Sequence, residues 1–521
     1  NESSKRKTSS GGVEYSSERS AGIPRIRTLP PQFIRAAFSQ NEYEAVRAFA
    51  GPSLCYDGLR KLLGLDELPV PSKRAEVIAR RLLQLAKSIA ADSRSLESSG
   101  RNSEVDQDSA ATRPPHMDDD ELVSLVWALL FARSEDRCEL LKYVFKDEDK
   151  DKGGNQLSKS EMQDMIVLSS KIAVYTKRLS SAEWEANFAG ELDPSSMAEW
   201  IARVELTRAK NQLKSGEKLS SLEAWSQKNL PSFLSVLGAC LLAHCVSAVL
   251  KENELEDFAF CKEITNELIP ALTERSEILT PDALYLLSSF FPPSSRTYLK
   301  RLYSSRADGK SVNRLANNTV GYRGPTLCLF KDKYGRVAGI LSESEWRDAN
   351  IFQGDSKTIL MTVAPRFSVC RAIHENAKPG SKPFYTFLNT KTGIGRFSWP
   401  AKGIGAGGSP GHLKLWVDEE LERISWDGDM ECDGFESEGD SWSPPDSDLS
   451  VVEVWGCGGL DAEQAQVQHR RREARMAERA RQVDRKMMFG GGHSWTESPD
   501  KFILDMVGIT GASDGYRDHR A

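Results

Sequence analysis

The run Thr326–Lys331, TLCLFK, most restricts what this chain can become. Its apolar residues are consecutive rather than alternating. Side chains of a strand point to opposite faces in turn, so a strand with no polar face has to be covered on both sides. The next residues, KDKYG, read as a tight turn, in which Asp332 can accept backbone hydrogen bonds and Gly335 can adopt positive φ. RVAGIL then returns, its small Ala338 and Gly339 allowing close packing. The residues alone imply a core hairpin of a β-sandwich.

The surrounding chain has a different texture. Its 521 residues, 39% hydrophobic and 28% charged, suffice for two or three domains. A net charge of −6 carries no global nucleic-acid signature. The nine cysteines form no CxxC pair, and an odd number argues for a reducing, cytosolic setting. Residues 1–28, rich in Ser, Gly and Lys, read as a disordered tail with no apolar leader segment. Apolar residues at helical spacing then mark 29–180 as an all-α region, interrupted by a Ser-rich linker at 92–115, and 181–277 as further helices. Phe233–Leu250 is 18 residues long, the lower edge for a bilayer span, and contains His244 and two serines. A buried core helix is the expectation, with no transmembrane span.

From about residue 278 to 457 the pattern becomes that of a separate, mostly antiparallel β domain, with strands in TILMTVAP, HLKLWVD and VVEVWG. Asp427–Asp448 is a strongly acidic insertion before the last of these. Residues 460–521 open with one long charged helix, whose apolar stripe is limited to Met476, Ala480, Val483 and Met487.

Four ordered elements resemble the TLDc domain family. They are GPTL with KD..G and a closing tryptophan (Gly324, Pro325, Asp332, Gly335, Trp346), FQGD (Gly354, Asp355), the glycine run with LKLWVD (Gly405, Gly407, Trp416, Asp418), and VVEVWG (Glu453, Trp455, Gly456). The EF-hand-like N-terminal helices, MAEWIARV and the tail ESPDKFILDMVG are similar to the mTOR-associated branch of that family, in its plant or algal form. The resemblance implies an α+β fold: an N-terminal all-α EF-hand-like region, a TLDc β-sandwich flanked by helices, and a long C-terminal helix. It also implies a non-enzymatic adaptor that binds peripheral subunits of the vacuolar proton-pumping ATPase. Links to an mTOR-type signalling complex, oxidative-stress resistance and a peripheral position on the lysosomal or vacuolar membrane come with it.

Other chemistry fares less well. Asp147, Asp149 and Asp151 have the spacing of a calcium loop, with Glu161 as its closing acid. Counted from Asp147, however, Glu161 is fifteenth where an EF-hand needs its glutamate at position 12, and Lys150 and Lys152 stand among the ligands. The register argues against calcium, and no other cofactor is implied. GIGAGG, 403–408, leads into a strand rather than a helix, so it reads as a structural turn and not a phosphate loop. No histidine or serine falls in a catalytic or metal-binding pattern. Cys370 or Cys457 as a reactive thiol is the alternative to the adaptor reading, and a structural scaffold is a third. The residues expected to meet a partner are Arg470, Arg471, Arg475, Met476, Arg479 and Val483, because Arg and Met are favoured interface anchors.

Overall fold

The computed structural model describes residues 23–24, 26–49, 56–63, 65, 72–98, 117–145, 159–180, 184–188, 192–202, 226, 230–249, 258–292, 298–372, 385–391, 401–409, 412–426, 435–438 and 446–489. The helical part comprises α1 (Pro31–Ala36), α2 (Gln40–Phe49), α3 (Tyr56–Leu62), α4 (Ser72–Ser98), α5 (Asp119–Phe131), α6 (Ser134–Phe145), α7 (Lys159–Ser180), α8 (residues 195–202), α9 (Val236–Val249), α10 (Ala259–Leu268) and α11 (Pro281–Leu287). Local chemistry explains several boundaries. Asp118 caps α5 by accepting from the Glu121 backbone N–H at 2.8 Å, while Glu121 accepts from the Asp118 N–H at 3.1 Å. This reciprocal arrangement satisfies two otherwise orphaned donors. Leu122–Leu130 of the same helix are all buried.

The expected core helix at 233–250 is present as α9, and its residues 236–243 are buried without interruption. Among the described residues no helix is long and apolar enough to cross a membrane. One boundary differs from expectation. The Ser-rich segment beginning at 92 remains helical through Ser98, because Ser93 faces inward and donates its hydroxyl to the Leu29 carbonyl at 2.6 Å.

The strands are β1 (Ala271–Leu272), β2 (Tyr298–Ser304), β3 (Thr326–Asp332), β4 (Val337–Ser342), β5 (Ala349–Gln353), β6 (Ile359–Ala364), β7 (Ser368–Ala372), β8 (Thr386–Asn389), β9 (Gly403–Ser409), β10 (His412–Asp418), β11 (Arg423–Trp426), β12 (Phe435–Glu438) and β13 (Ser447–Gly456). A short helix, α12 (Val312–Thr319), lies between β2 and β3. One sheet has the order β12-β7-β6-β4-β3-β13, with β2 on the far side of β13; the other runs β11-β10-β9-β8-β5. All pairs are antiparallel except β1 with β2. Strand β13 belongs to both sheets: Ser447 and Asp448 pair with Ile424 and Arg423 of β11, and the rest of the strand pairs with β3 and β2.

Two strands depart from the sequence reading. The glycine run is not a turn but strand β9, paired along its length with β10 and β8. Glycine is required there for space. A Cβ on Gly405 would lie 2.5 Å from the Leu415 carbonyl oxygen, and one on Gly407, at φ +72, would press on Leu360 of the opposite sheet at 3.2 Å. The acidic insertion also contains a strand, β12, whose FESE pairs with Val369–Ala372. Its acidic composition masked that strand.

The first sheet is covered on both faces, as TLCLFK requires. Leu327, Leu329, Leu341, Met361, Val451 and Trp455 join one continuous core with the helices. On the opposite face, Leu360 and Phe435 meet Gly407 and Tyr385 of the second sheet; the Tyr385 and Phe435 rings are 6.0 Å apart. Trp200 of α8, Phe290 and Phe367 form an aromatic cluster at the helix–sheet junction, with centroids 5.4–5.8 Å apart. One hydrophobic core thus runs through both the helices and the first sheet of the β region. The described residues of 1–320 and 324–459 form one compact unit, and those of Gly321–Arg323 with Leu460 onward a second.

One lysine opposes the helical packing. Lys177 of α7 is buried against Asn266 of α10, and burial lowers its pKa from 10.5 to about 8. Below pH 8 the fold thus carries a desolvated charge that the unfolded chain hydrates. Lys177→Met is expected to stabilise the protein by about 1–3 kcal/mol at pH 7. Because the unfolded lysine binds the proton more tightly, wild-type stability rises between pH 8 and 10.5. The gain should therefore shrink towards zero over that window, read from denaturation midpoints at each pH.

Candidate functional site

The motif residues all carry structural duties. Trp346 is buried and donates its indole N–H to Thr326 Oγ1 at 2.7 Å, pinning the segment after β4 to the start of β3. Pro325 accepts from the Cys457 N–H at 2.7 Å, and Gly456 pairs with Thr326 and Lys300. Gly354 has φ +93, and a Cβ there would lie 2.9 Å from Thr386 Oγ1. Asp355 then accepts from Ser344 Oγ at 2.6 Å and the Lys357 N–H at 2.9 Å. Trp416 packs over Gly403 and Gly405, and Asp418 accepts from the Glu422 and Arg423 N–H groups to close the turn into β11. Gly324 is buried immediately before β3.

Glu453 is the most consequential of these residues. Its carboxylate, only 1% exposed, accepts from Ser276 Oγ at 2.6 Å, the Glu277 N–H at 2.7 Å and Trp455 Nε1 at 3.0 Å. Ser276 Oγ in turn accepts from the N–H groups of Ile278 and Leu279. The carboxylate thus ties the chain entering the β region to β13. Sequence reading marked Glu453 but missed Ser276, whose role depends on a partner 177 positions away.

Nothing in this network activates a nucleophile. The described cysteines, at 138, 240, 245, 261, 328, 370 and 457, are all buried, and none of them forms a disulfide. Burial pushes the Cys240, Cys261 and Cys457 thiols up to about 12, and raises those of Cys245 and Cys328 as well. A thiol so protonated is a poor nucleophile. Asp147, Asp149 and Asp151 lie outside the described residues, between α6 and α7; Glu161 is buried in the first turn of α7. Among the described residues, no group of three or more His, Cys, Asp or Glu side chains is placed to hold a metal ion.

The last helix, α13 (Gly459–Phe489), differs from every other element. Ala462 and Gln466 near its start are buried. From Arg470 to Arg481 every side chain is exposed, with Met476 at 64%. This stretch holds six arginines, at 470, 471, 472, 475, 479 and 481, against Glu473 and Glu478. Arg471, Arg475 and Arg479 recur every four residues and share one face, with Met476 beside them. Val483 belongs to the helix, but its side chain lies outside the described residues. Five of the six expected partner residues are therefore presented together on solvent-exposed helix.

Replacing Glu453 tests the structural reading of the buried network. Burial raises its pKa, against the lowering effect of its three hydrogen bonds. Glu453→Gln places an amide donor among N–H and O–H donors and is expected to cost about 2 kcal/mol of stability at neutral pH. With a raised folded pKa, wild-type stability gains from protonation below 4.5 and loses that gain as pH rises through the folded value. The difference between the two proteins should therefore be larger at pH 4.5 than at pH 7.5 in paired denaturation curves.

Comparison with known proteins agrees with this architecture. The model of the TLDc domain matches residues 272–458. The zebrafish (Danio rerio) MTOR-associated protein MEAK7 is 31% identical over 187 residues, which cover 36% of this chain and 39% of that protein. The Xenopus laevis protein of the same name is 26% identical over 46% of this chain and 45% of its own length. Rat (Rattus norvegicus) oxidation resistance protein 1 is 27% identical over 29% of this chain, and the match spans 16% of that protein. The chain thus matches less than half the length of these relatives. Residues 272–458 are a TLDc domain, carried in a chain that is similar to the mTOR-associated members of the TLDc family.

Proposed function

We propose that the protein is a non-enzymatic adaptor that docks on peripheral subunits of the vacuolar proton-pumping ATPase, with its TLDc domain as one contact and α13 as the other. The observation that carries this reading is the helix itself. A helix exposed on all sides for about three turns gains little from its own core, and it leaves Arg471, Arg475, Arg479 and Met476 open to contact from outside. Two linked contacts raise the effective concentration of each for its site, so modest separate affinities combine into firm and reversible attachment.

The names of the relatives supply the setting. An mTOR-associated relative supports placing the adaptor near an mTOR-type signalling complex, and an oxidation-resistance relative supports a protective output. In this reading the protein sits peripherally on the lysosomal or vacuolar membrane and needs no cofactor. Buried, protonated thiols make the thiol-redox alternative weaker, since Cys457 has neither access nor nucleophilicity.

The test is recovery of the purified peripheral sector on the full chain and on a chain ending at residue 459. Removal of 460–521 should lower recovery by about tenfold or more. Arg475→Glu with Arg479→Glu should reproduce much of that loss at low salt and less of it at high salt. Unchanged recovery would exclude the helix as a contact.

A further inference from the structure

The apolar stripe in the second half of α13 continues a line that begins at the root of the helix. At the root, Ala462 and Gln466 are buried, and His469 lies over Gly321, where a Cβ would come within 2.4 Å of the ring Cδ2. Gly321 also has φ +85, so both space and backbone call for glycine there. Counting on from Ala462, steps of 4 and 3 residues alternate through Gln466, His469, Glu473, Met476, Ala480, Val483 and Met487. Positions spaced in this way share one helix face. The covered and open parts of α13 therefore lie along a single line. Its start is packed, whereas Glu473, Met476 and Ala480 are exposed, Met476 at 64%.

The spacing indicates what shape can cover the open part. A straight helix has 3.6 residues per turn, so a line repeating every seven residues drifts by about 20° per heptad. On a flat surface such a line wanders off the contact. A second helix that coils with α13 keeps it in register. The flanks indicate charge. One flank of the line holds Arg472, Arg479 and Lys486, a heptad apart, and the other holds Arg470, Ala477 and Asp484. Arg472 and Arg479 are exposed and make no ion pair or hydrogen bond among the described residues. Glu473, the acid within the line, is 3.3 Å from His469 Nε2 of the same helix. A second copy of this chain fits poorly. Parallel pairing sets Glu473 against its own counterpart, and antiparallel pairing sets the two arginine flanks against each other.

We propose that the Glu473–Met487 face of α13 pairs, as a short coiled coil, with an amphipathic helix of a partner protein whose apolar seam is bordered by Asp and Glu. This rests on the adaptor reading and names the shape and charge of the surface that α13 meets. Carboxylates on the partner helix answer Arg472 and Arg479, which no acid of this chain engages among the described residues.

The experiment measures binding of the full chain to the purified peripheral sector of the vacuolar ATPase. Ala480→Asp, in the line, should weaken binding by about tenfold or more, and Ala474→Asp, the same change on the outer face, by about twofold or less. Arg472→Glu with Arg479→Glu should likewise lose about tenfold at low salt, the loss shrinking as salt is raised to about 0.5 M, whereas Arg481→Glu on the outer face should lose about twofold or less. A second measurement reads the partner's shape without relying on lost affinity. Photo-crosslinking from Ala480→benzoylphenylalanine should give adducts on a single helix of the sector, beside acidic residues, and Ala474→benzoylphenylalanine should give none. Equal losses from inner and outer changes, full affinity of Ala480→Asp, or adducts on strands, loops or a second copy of this chain would overturn the proposal while leaving the adaptor reading intact. No binding by wild type would overturn both.

Discussion

Strand β13 is the constraint on which the remainder of the molecule depends. It pairs with β3 and β2 in one sheet and with β11 in the other, and its residues alternate between the helical core and the sandwich interior. A strand buried on both faces cannot leave backbone groups unpaired, since each would cost about as much as a lost hydrogen bond. Its neighbours are therefore fixed in register. Glu453 extends that control beyond the sheet by binding the chain at Ser276 and Glu277, so one strand sets the position of helices, both sheets and the entering segment.

Much of this was legible before any coordinates. Consecutive apolar residues in TLCLFK required two covered faces, and the structure supplies helices on one and a second sheet on the other. HLKLWVD is a strand at the expected residues, and the Phe233–Leu250 run is a core helix. The failures have definite physical causes. GIGAGG looked like a turn because glycine usually marks one. Here it accommodates Trp416 and the facing sheet, a tertiary demand that local sequence does not display. FESE in β12 was hidden by its acidic setting, since edge strands tolerate charge. The apparent boundary near residue 278 reflects a change of secondary structure and not a break in the core.

The site was only partly readable. The arginines of α13 could be chosen from composition and periodicity, and the structure shows Arg470–Arg481 exposed. The motifs that identify the TLDc region are equally instructive, because every one of them serves the fold. Trp346, Asp355, Asp418 and Glu453 satisfy backbone or side-chain partners within the domain. Sequence signatures of this kind mark the requirements of the fold.

Buried thiols among the described residues and an exposed basic helix are the features on which the proposed adaptor role rests. Hydrogen–deuterium exchange of the full chain, alone and with the purified peripheral ATPase sector, addresses that account as a whole. It predicts slowed exchange over residues 470–489, with the amides of β3, β4 and β13 unchanged. Binding that leaves that segment exchanging at its free rate, or protection confined to the buried sheet, would contradict it.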